Sequence, residues 1–258
     1  MLRFKNLGSG SSGNATVVES HCGGRVTRLL VDCGLGLKHL DQRLAQAGLL
    51  ARQLDAVFIT HEHGDHVGCV TQLVRRESIP VWMSHGTHSA MGAPELQGLL
   101  RVAQDGQSIG LNDLEIQPFT VPHDAREPLQ LSCTDGDRRL GILTDLGHAT
   151  PHVALNLAGC HALLLECNHD PELLAASRYP AFLKQRVGGR FGHLANAASA
   201  GLARELHHAG LTHLVAAHLS LQNNRPELAV SALTQALGCS SSDIGVAHPL
   251  HGTPWLNI

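Results

Sequence analysis

Hydrophobic and polar positions along this chain fall into two sets of short apolar runs, each interleaved with amphipathic or proline-opened stretches. In the first set, residues 2–7, 16–19, 26–31, 56–60 and 80–83 have the length and the β-branched or aromatic content of strands. Helical spacing runs through residues 37–48 and 67–75. The second set predicts strands at 114–120, 129–134, 139–144, 162–166 and 213–217. Helices are expected at 151–157, 171–176, 180–187, 195–209 and 226–236, several of them opened by a proline that the first helical turn accommodates. Periodicity alone therefore predicts a mixed α and β chain and no particular architecture.

Composition narrows the class. At 258 residues and 43% hydrophobic content the chain is long enough for a large core, and no Pro/Ser-rich linker or charge block divides it, so one domain over 1–258 is expected. No apolar stretch approaches transmembrane length, and Met1-Leu2-Arg3-Phe4-Lys5-Asn6 lacks the apolar core and cleavage site of a signal peptide. The expectation is a cytoplasmic protein without a membrane partner. Cysteines at 22, 33, 69, 133, 160, 167 and 239 form no Cys-x-x-Cys pair, which suits reduced thiols filling the core.

The densest chemistry lies directly after the apolar run Leu54-Asp55-Ala56-Val57-Phe58-Ile59, in Thr60-His61-Glu62-His63-Gly64-Asp65-His66. Three imidazoles and the Asp65 carboxylate at the end of a strand, with a glycine that lets the backbone turn, suit a metal site. The spacing differs from the helical zinc motif in which two histidines four apart share one face. A solvated histidine-rich loop is the bland alternative. Further apolar runs also end in possible ligands, at His123, Asp145 and His218, though a single histidine or aspartate in that position is as readily a capping residue.

The His-x-His-x-Asp-His motif, with those later residues in the same order, resembles the metallo-β-lactamase superfamily. The resemblance implies an αββα sandwich of two mixed sheets flanked by helices. It implies two divalent cations, zinc or manganese, with His61, His63 and His123 on one, Asp65, His66 and His218 on the other, and Asp145 bridging. Asp32, which ends the run Leu29-Leu30-Val31, matches the superfamily's first motif and would orient the ligand loop by accepting hydrogen bonds. It also reads as a turn-initiating aspartate before Gly34.

Three segments narrow the resemblance to the YycJ/WalJ branch, which is similar to ribonuclease Z in active-site plan: Leu7-Gly8-Ser9-Gly10-Ser11-Ser12-Gly13-Asn14, Glu166-Cys167-Asn168-His169-Asp170 and Gly192-His193-Leu194-Ala195-Asn196. Ala195 stands where the branch has serine. Carried over, the plan implies a metal-activated hydroxide as nucleophile, aligned by Asp65. Glu166 would orient His193, and His193 would protonate the departing oxygen. The implied activity is 5′-directed DNA exonuclease action. The alternative is a small-molecule hydrolase of the same fold acting on a cyclic phosphodiester, lactone or thioester.

Substrate contacts are less legible. A net charge of −3 offers no global attraction to a polyanion, so nucleic-acid contacts must be local. Ser9, Ser11, Ser12 and Asn14 offer hydroxyl, amide and backbone N–H groups for a phosphate, or form a plain turn. Arg178, Lys184, Arg186 and Arg190 cluster between Glu166 and His193, as a phosphate patch or a solvated face. An aromatic content of 3% argues against a base-stacking platform. A homodimer is an open expectation, since no residues specify an interface.

Overall fold

The computed structural model describes residues 1–258. Fourteen strands make two seven-stranded sheets. The first contains β1 (Leu2–Gly8), β2 (Ala15–Cys22), β3 (Arg25–Val31), β4 (Ala56–Phe58), β5 (Val81–Met83), β6 (Leu100–Val102) and β14 (Leu256–Asn257), in the order β14-β1-β2-β3-β4-β5-β6. The second contains β7 (Ile109–Leu111), β8 (Leu114–Thr120), β9 (Leu129–Thr134), β10 (Arg139–Leu143), β11 (Ala162–Glu166), β12 (His213–Ala217) and β13 (Ile244–Val246), in the order β13-β12-β11-β10-β9-β8-β7. Helices α1 (Leu37–Gln46), α2 (Gly64–Val67), α3 (Val70–Glu77) and α4 (His85–Ala90) accompany the first sheet in sequence. Helices α5 (Pro151–Leu157), α6 (Pro171–Ala176), α7 (Ala181–Val187), α8 (Asn196–Leu206) and α9 (Pro226–Leu237) accompany the second.

Period-two side-chain direction gives the central apolar runs two buried faces. Along β3 and β4, Leu29, Val31, Ala56 and Phe58 point toward the opposite sheet, while Leu30 and Val57 point under α1 and α3. Along β11 and β12, Ala162, Leu164, Val215 and Ala217 face the first sheet, while Leu163, Leu165, Leu214 and Ala216 face α5, α8 and α9. Three apolar layers result, of 21 buried residues each, and three interlayer cores require four layers of structure. The expected sandwich of two mixed sheets flanked by helices is the observed one. Truncating one of these side chains, as in Leu164→Ala, is expected to cost about 2–5 kcal/mol because so tight a layer cannot collapse around the hole.

Pairing is antiparallel over β14-β1-β2-β3 and parallel over β3-β4-β5-β6; in the second sheet it is parallel over β10-β11-β12-β13 and antiparallel over β10-β9-β8-β7. The parallel strands of both sheets release their chains at one rim. Asp32 follows β3, the ligand loop follows β4, Asp145 follows β10, Glu166 ends β11 and His218 follows β12. Loops beyond the carboxyl ends of parallel strands are free of the ladder and can converge on a ligand.

The expected helix at 67–75 begins later, at Val70, because Gly68 takes φ 25° and separates it from the short turn of α2. Strands β6, β7, β13 and β14 and helix α4 go beyond the expected elements. No helix is long and apolar enough to cross a membrane.

Candidate metal centre

Beyond β4 the chain passes under Asp32, and this carboxylate organises the whole ligand loop. Thr60 donates from N–H (2.9 Å) and from Oγ1 (2.9 Å) to Asp32 Oδ1, while His66 Nδ1 lies 2.8 Å from Asp32 Oδ2. The imidazole of His66 is thereby aimed, with Nε2 3.0 Å from Asp145 Oδ2 and 3.7 Å from Asp65 Oδ2. Asp32 is buried and shares no candidate ligand group, so its position suits orientation of a ligand and not ligation.

Two clusters of donors face each other across the rim. His61 Nε2 and His123 Nε2 both point at His63 Nδ1, at 3.0 and 3.3 Å, with the other nitrogen of His123 donating to the Gly192 carbonyl at 3.0 Å. On the other side His218 Nε2 is 3.5 Å from Asp65 Oδ2, and Asp65, His66 and His218 converge. Asp145 lies between, with His61 and His66 on one flank and Glu166, His193 and His218 on the other.

The electrostatics divide the histidines in two. Burial drives His61 well below the usual histidine range and lowers His123, which keeps both as neutral donors. Burial acts the same way on His66 and His218, but carboxylates outweigh it. Asp32 and Asp145 hold His66 well above its ordinary value, and Asp145, Asp65 and Glu166 push His218 up to about 9. Burial raises Asp145, yet His218, His66 and His193 together keep it well below the carboxylate range. Asp65, raised by burial and lowered more by His218 and His66, sits at about 2.

Two polar atoms test whether a cation fits. Asp145 Oδ2 and His218 Nε2 are buried and make no well-directed hydrogen bond, although His66 Nε2 and Asp65 Oδ2 stand 3.0 and 3.5 Å from them. Leaving such atoms unpaired costs about 1–3 kcal/mol each, and both point into the donor clusters. Imidazole nitrogens and carboxylate oxygens without a thiolate suit a divalent cation of the zinc or manganese kind. The donor set therefore fits the divalent metal expected of it.

Next to the clusters, Glu166 is fully buried and fully used. Its Oε2 accepts from the N–H groups of Leu146 (2.8 Å) and Leu194 (3.2 Å), and its Oε1 faces His193 Nδ1 at 2.8 Å and His218 Nδ1 at 3.1 Å. His193 Nδ1 is also 3.2 Å from Asp145 Oδ1, and 23% of its side chain is exposed at the wall of a cleft of about 430 Å3. Burial lowers His193, but Glu166 and Asp145 outweigh it and hold the ring well above the ordinary histidine value.

With this geometry in place, comparison with known proteins is direct. The model of the Metallo-beta-lactamase superfamily matches residues 8–165. The chain belongs to the metallo-β-lactamase superfamily. It is 33% identical over 257 residues to the exodeoxyribonuclease YycJ of Bacillus anthracis, covering 98% of this chain and 95% of that one. It is 32% identical to the exodeoxyribonuclease WalJ of Streptococcus pneumoniae serotype 2, covering 98% and 94%. Among solved structures, the metallo-β-lactamase-fold protein YhfI from Bacillus subtilis superposes with a TM-score of 0.75 at 17% identity, over 99% of this chain and 98% of that one.

Within this metallo-β-lactamase fold, the residues considered for phosphate binding take different places. Ser9 is turned inward, its Oγ accepting from the N–H of His218 at 2.7 Å. Asn14 is buried; its N–H donates to the Asp65 carbonyl at 2.8 Å, its Nδ2 to the same carbonyl at 3.2 Å, and its Oδ1 accepts from Gly10 N–H at 2.8 Å. The glycine- and serine-rich turn is thus a strap across the ligand loop. Gly34 completes it, because a Cβ there would stand 1.7 Å from the Asp65 carbonyl oxygen. Ser11 alone of the four lines the cleft, and Ser12 is exposed away from it. Of the basic cluster, Arg186 lines the cleft with Nε 2.5 Å from Asp124 Oδ2, Lys184 reaches the Ala175 carbonyl, and Arg178 and Arg190 stand outside the wall.

Several supporting residues were not singled out from sequence. Thr60 links Asp32 to the loop, Asn168 Nδ2 donates to the His218 carbonyl at 2.9 Å, and Ser199 Oγ donates to the Glu166 carbonyl at 2.5 Å. Asn196 and Asn224 pair through their side-chain amides at 2.9 Å and tie the two loops together. The quoted motifs contained Asn168 and Asn196, but only the long-range pairings reveal what they hold.

Proposed function

We propose that the chain is a metal-dependent phosphodiesterase that shortens DNA from its 5′ end, working as one domain with two divalent cations. The carrying observation is the juxtaposition of Glu166, His193 and Asp145 at the floor of the cleft. Relatives named exodeoxyribonucleases, similar over 98% of the chain, support the choice of substrate. His61, His63 and His123 would hold one cation and Asp65, His66 and His218 the other, with Asp145 serving both. When bound, the cations lower the pKa of a water and draw charge from a phosphodiester oxygen.

The chain's own residues account for the rest. Glu166 fixes Nδ1 of His193, so that Nε2 is the nitrogen free to serve the cleft, and the two carboxylates keep the ring protonated as an acid requires. His193 gives that proton to the oxygen leaving the phosphorus. Asp65, partly exposed on the cleft wall, aligns the attacking water. Asp32 and Thr60 maintain the aim of His66, and the strap from Gly10 to Asn14 maintains that of Asp65.

The test uses protein reconstituted separately with manganese and with zinc, and DNA labelled at either end with or without a 5′-phosphate. Stepwise release from the 5′ end, lost in Asp65→Ala and slowed in His193→Ala, is the expected result. Intact DNA alongside turnover of small phosphate or carboxylic esters would replace this reading with a small-molecule hydrolase.

A further inference from the structure

The protein has five phenylalanines and one tyrosine, and they divide sharply. Phe4, Phe58 and Phe119 are fully buried in the interlayer cores, whereas Phe182 and Phe191 are 70% and 59% exposed and Tyr179 lines the cleft. All three exposed or cleft-facing rings fall in the segment 179–191, between Glu166 and His193. Concentration in one segment that borders the cleft through Tyr179 overrides the low overall aromatic content, which by itself argues against stacking.

Phe191 sets its ring edge-on to His148, but packing does not explain Phe182. Helix α7 buries none of its residues. It is carried as an arm over the cleft, anchored where His193 N–H donates to the Val187 carbonyl at 2.8 Å and where Gly192 closes against the Arg186 carbonyl. Leu183, Arg186 and Val187 of the arm line the cleft. Phe182 is four residues before Arg186, hence on the same helical side, and Arg186 is tethered to Asp124, the residue after His123. Charge on the arm has one sign: Arg178, Lys184, Arg186 and Arg190 occur with no acidic residue between Glu172 and Glu205, in a chain whose net charge is −3. Exposed aromatics interleaved with cations suit stacked bases with their phosphates alongside.

We infer that Tyr179 and Phe182 form a stacking platform for the bases of an unpaired nucleic-acid end, with the arginines and lysine of the same arm taking the flanking phosphates. The inference rests on the nuclease reading and adds to it a single-stranded end as the form engaged. Stacking on both ring and base faces is indifferent to base identity, so the platform supports progressive shortening without sequence preference. It is a positioning device, since neither ring touches the groups assigned to proton transfer.

The experiment measures binding of a short single-stranded oligodeoxynucleotide with non-hydrolysable terminal linkages, by fluorescence anisotropy with manganese-loaded protein. A second oligonucleotide has abasic sites in the last two positions. Phe182→Ala and Tyr179→Ala are each expected to weaken binding of the intact oligonucleotide by about tenfold, and Phe182→Trp to restore it. The abasic oligonucleotide should bind wild type as weakly as the intact one binds Phe182→Ala, and lose little more in the variants. Thermal melting confirms that the variants fold, which the absence of buried residues in α7 favours. Equal binding by wild type and both alanine variants overturns the platform, as does a loss shared equally by the abasic strand. A shift from dimer to monomer in Phe182→Ala with unchanged binding also overturns it, assigning the rings to a second copy of the chain. Failure of the nuclease reading looks different: wild type then binds the oligonucleotide but leaves hydrolysable DNA intact.

Discussion

Asp32 and His218 stand in opposite sheets, yet both hold the left-handed backbone, φ 60° and 54°, one residue beyond the end of a parallel strand. Non-glycine residues pay about 1–2 kcal/mol for that conformation. The bend reverses each chain so that the side chain turns into the rim. Asp32 offsets the cost through Thr60 and His66, and His218 through Ser9 and Glu166. Strain located at these two positions is consistent with a site assembled from both sheets.

Asp32→Asn and Asp32→Ala separate conformation from hydrogen bonding. Asparagine tolerates the left-handed backbone and alanine does not, so Asn is expected to cost about 1 kcal/mol and Ala about 3 kcal/mol in urea unfolding. Both should weaken metal retention about 10–100-fold, read as metal content after dialysis against a graded chelator. Full retention in Asp32→Ala would remove Asp32 from the site's support.

Metal removal should be visible as lost stability. A ligand at about 100 times its dissociation constant contributes about 2.7 kcal/mol, which for a chain of this length is roughly 5–10 °C in melting temperature. Manganese or zinc is expected to give that increment to wild type and none to Asp145→Ala.

Proton transfer predicts both a rate and a pH profile. His193→Ala should lower kcat about 10²–10⁴-fold. Glu166→Gln removes a negative charge that keeps His193 protonated, so the ring titrates lower and the basic limb of kcat against pH moves to lower pH. An unmoved basic limb would leave His193 without an acid's role.

Acid stability depends on a group outside the candidate metal centre. Glu19 is buried on β2; burial raises it, but hydrogen bonds from Arg28, Arg3 and His21 outweigh that and hold it below its ordinary value. Because the folded value is depressed, its contribution is complete above the unfolded carboxylate range, near pH 4.3, and fades as pH falls through the folded value. Glu19→Gln is expected to cost about 2 kcal/mol at pH 7 and progressively less under acid, in denaturant titrations at stepped pH.

Ala195 occupies the N-cap of α8 with φ −70°, ψ 152° and no side-chain cap. A hydroxyl there would accept from the open N–H groups of the first turn. Ala195→Ser is therefore expected to add about 1 kcal/mol, a rise of about 2–4 °C in melting temperature.

Sequence by itself determined the parts whose cause is local. Strands at Leu114–Thr120, Leu129–Thr134, Ala162–Glu166 and His213–Ala217 coincide with their apolar runs, since the last two bury both faces and Leu114–Thr120 buries Leu114, Ile116 and Phe119. The candidate ligands were legible because a metal demands donors of particular types at strand ends, and His61, His63, Asp65 and His66 sit within one turn of chain. Short β6, β7 and β13 lack that length, and β14 exists only through Leu256 and Asn257 pairing with Phe4 and Arg3 of β1. Tertiary structure alone decided the partnerships. Ser9 and Asn14 look in sequence like an open phosphate turn, but His218 and Asp65, distant along the chain, draw them inward. Glu166 acquires His218 because β11 and β12 end side by side and His193 because the loop before α8 folds back onto it through Leu194 N–H, and the rings of Tyr179 and Phe182 gain meaning from an arm whose helix buries nothing. Residue chemistry is written locally, whereas which groups are buried, paired or left facing the cleft depends on packing between elements far apart in the chain.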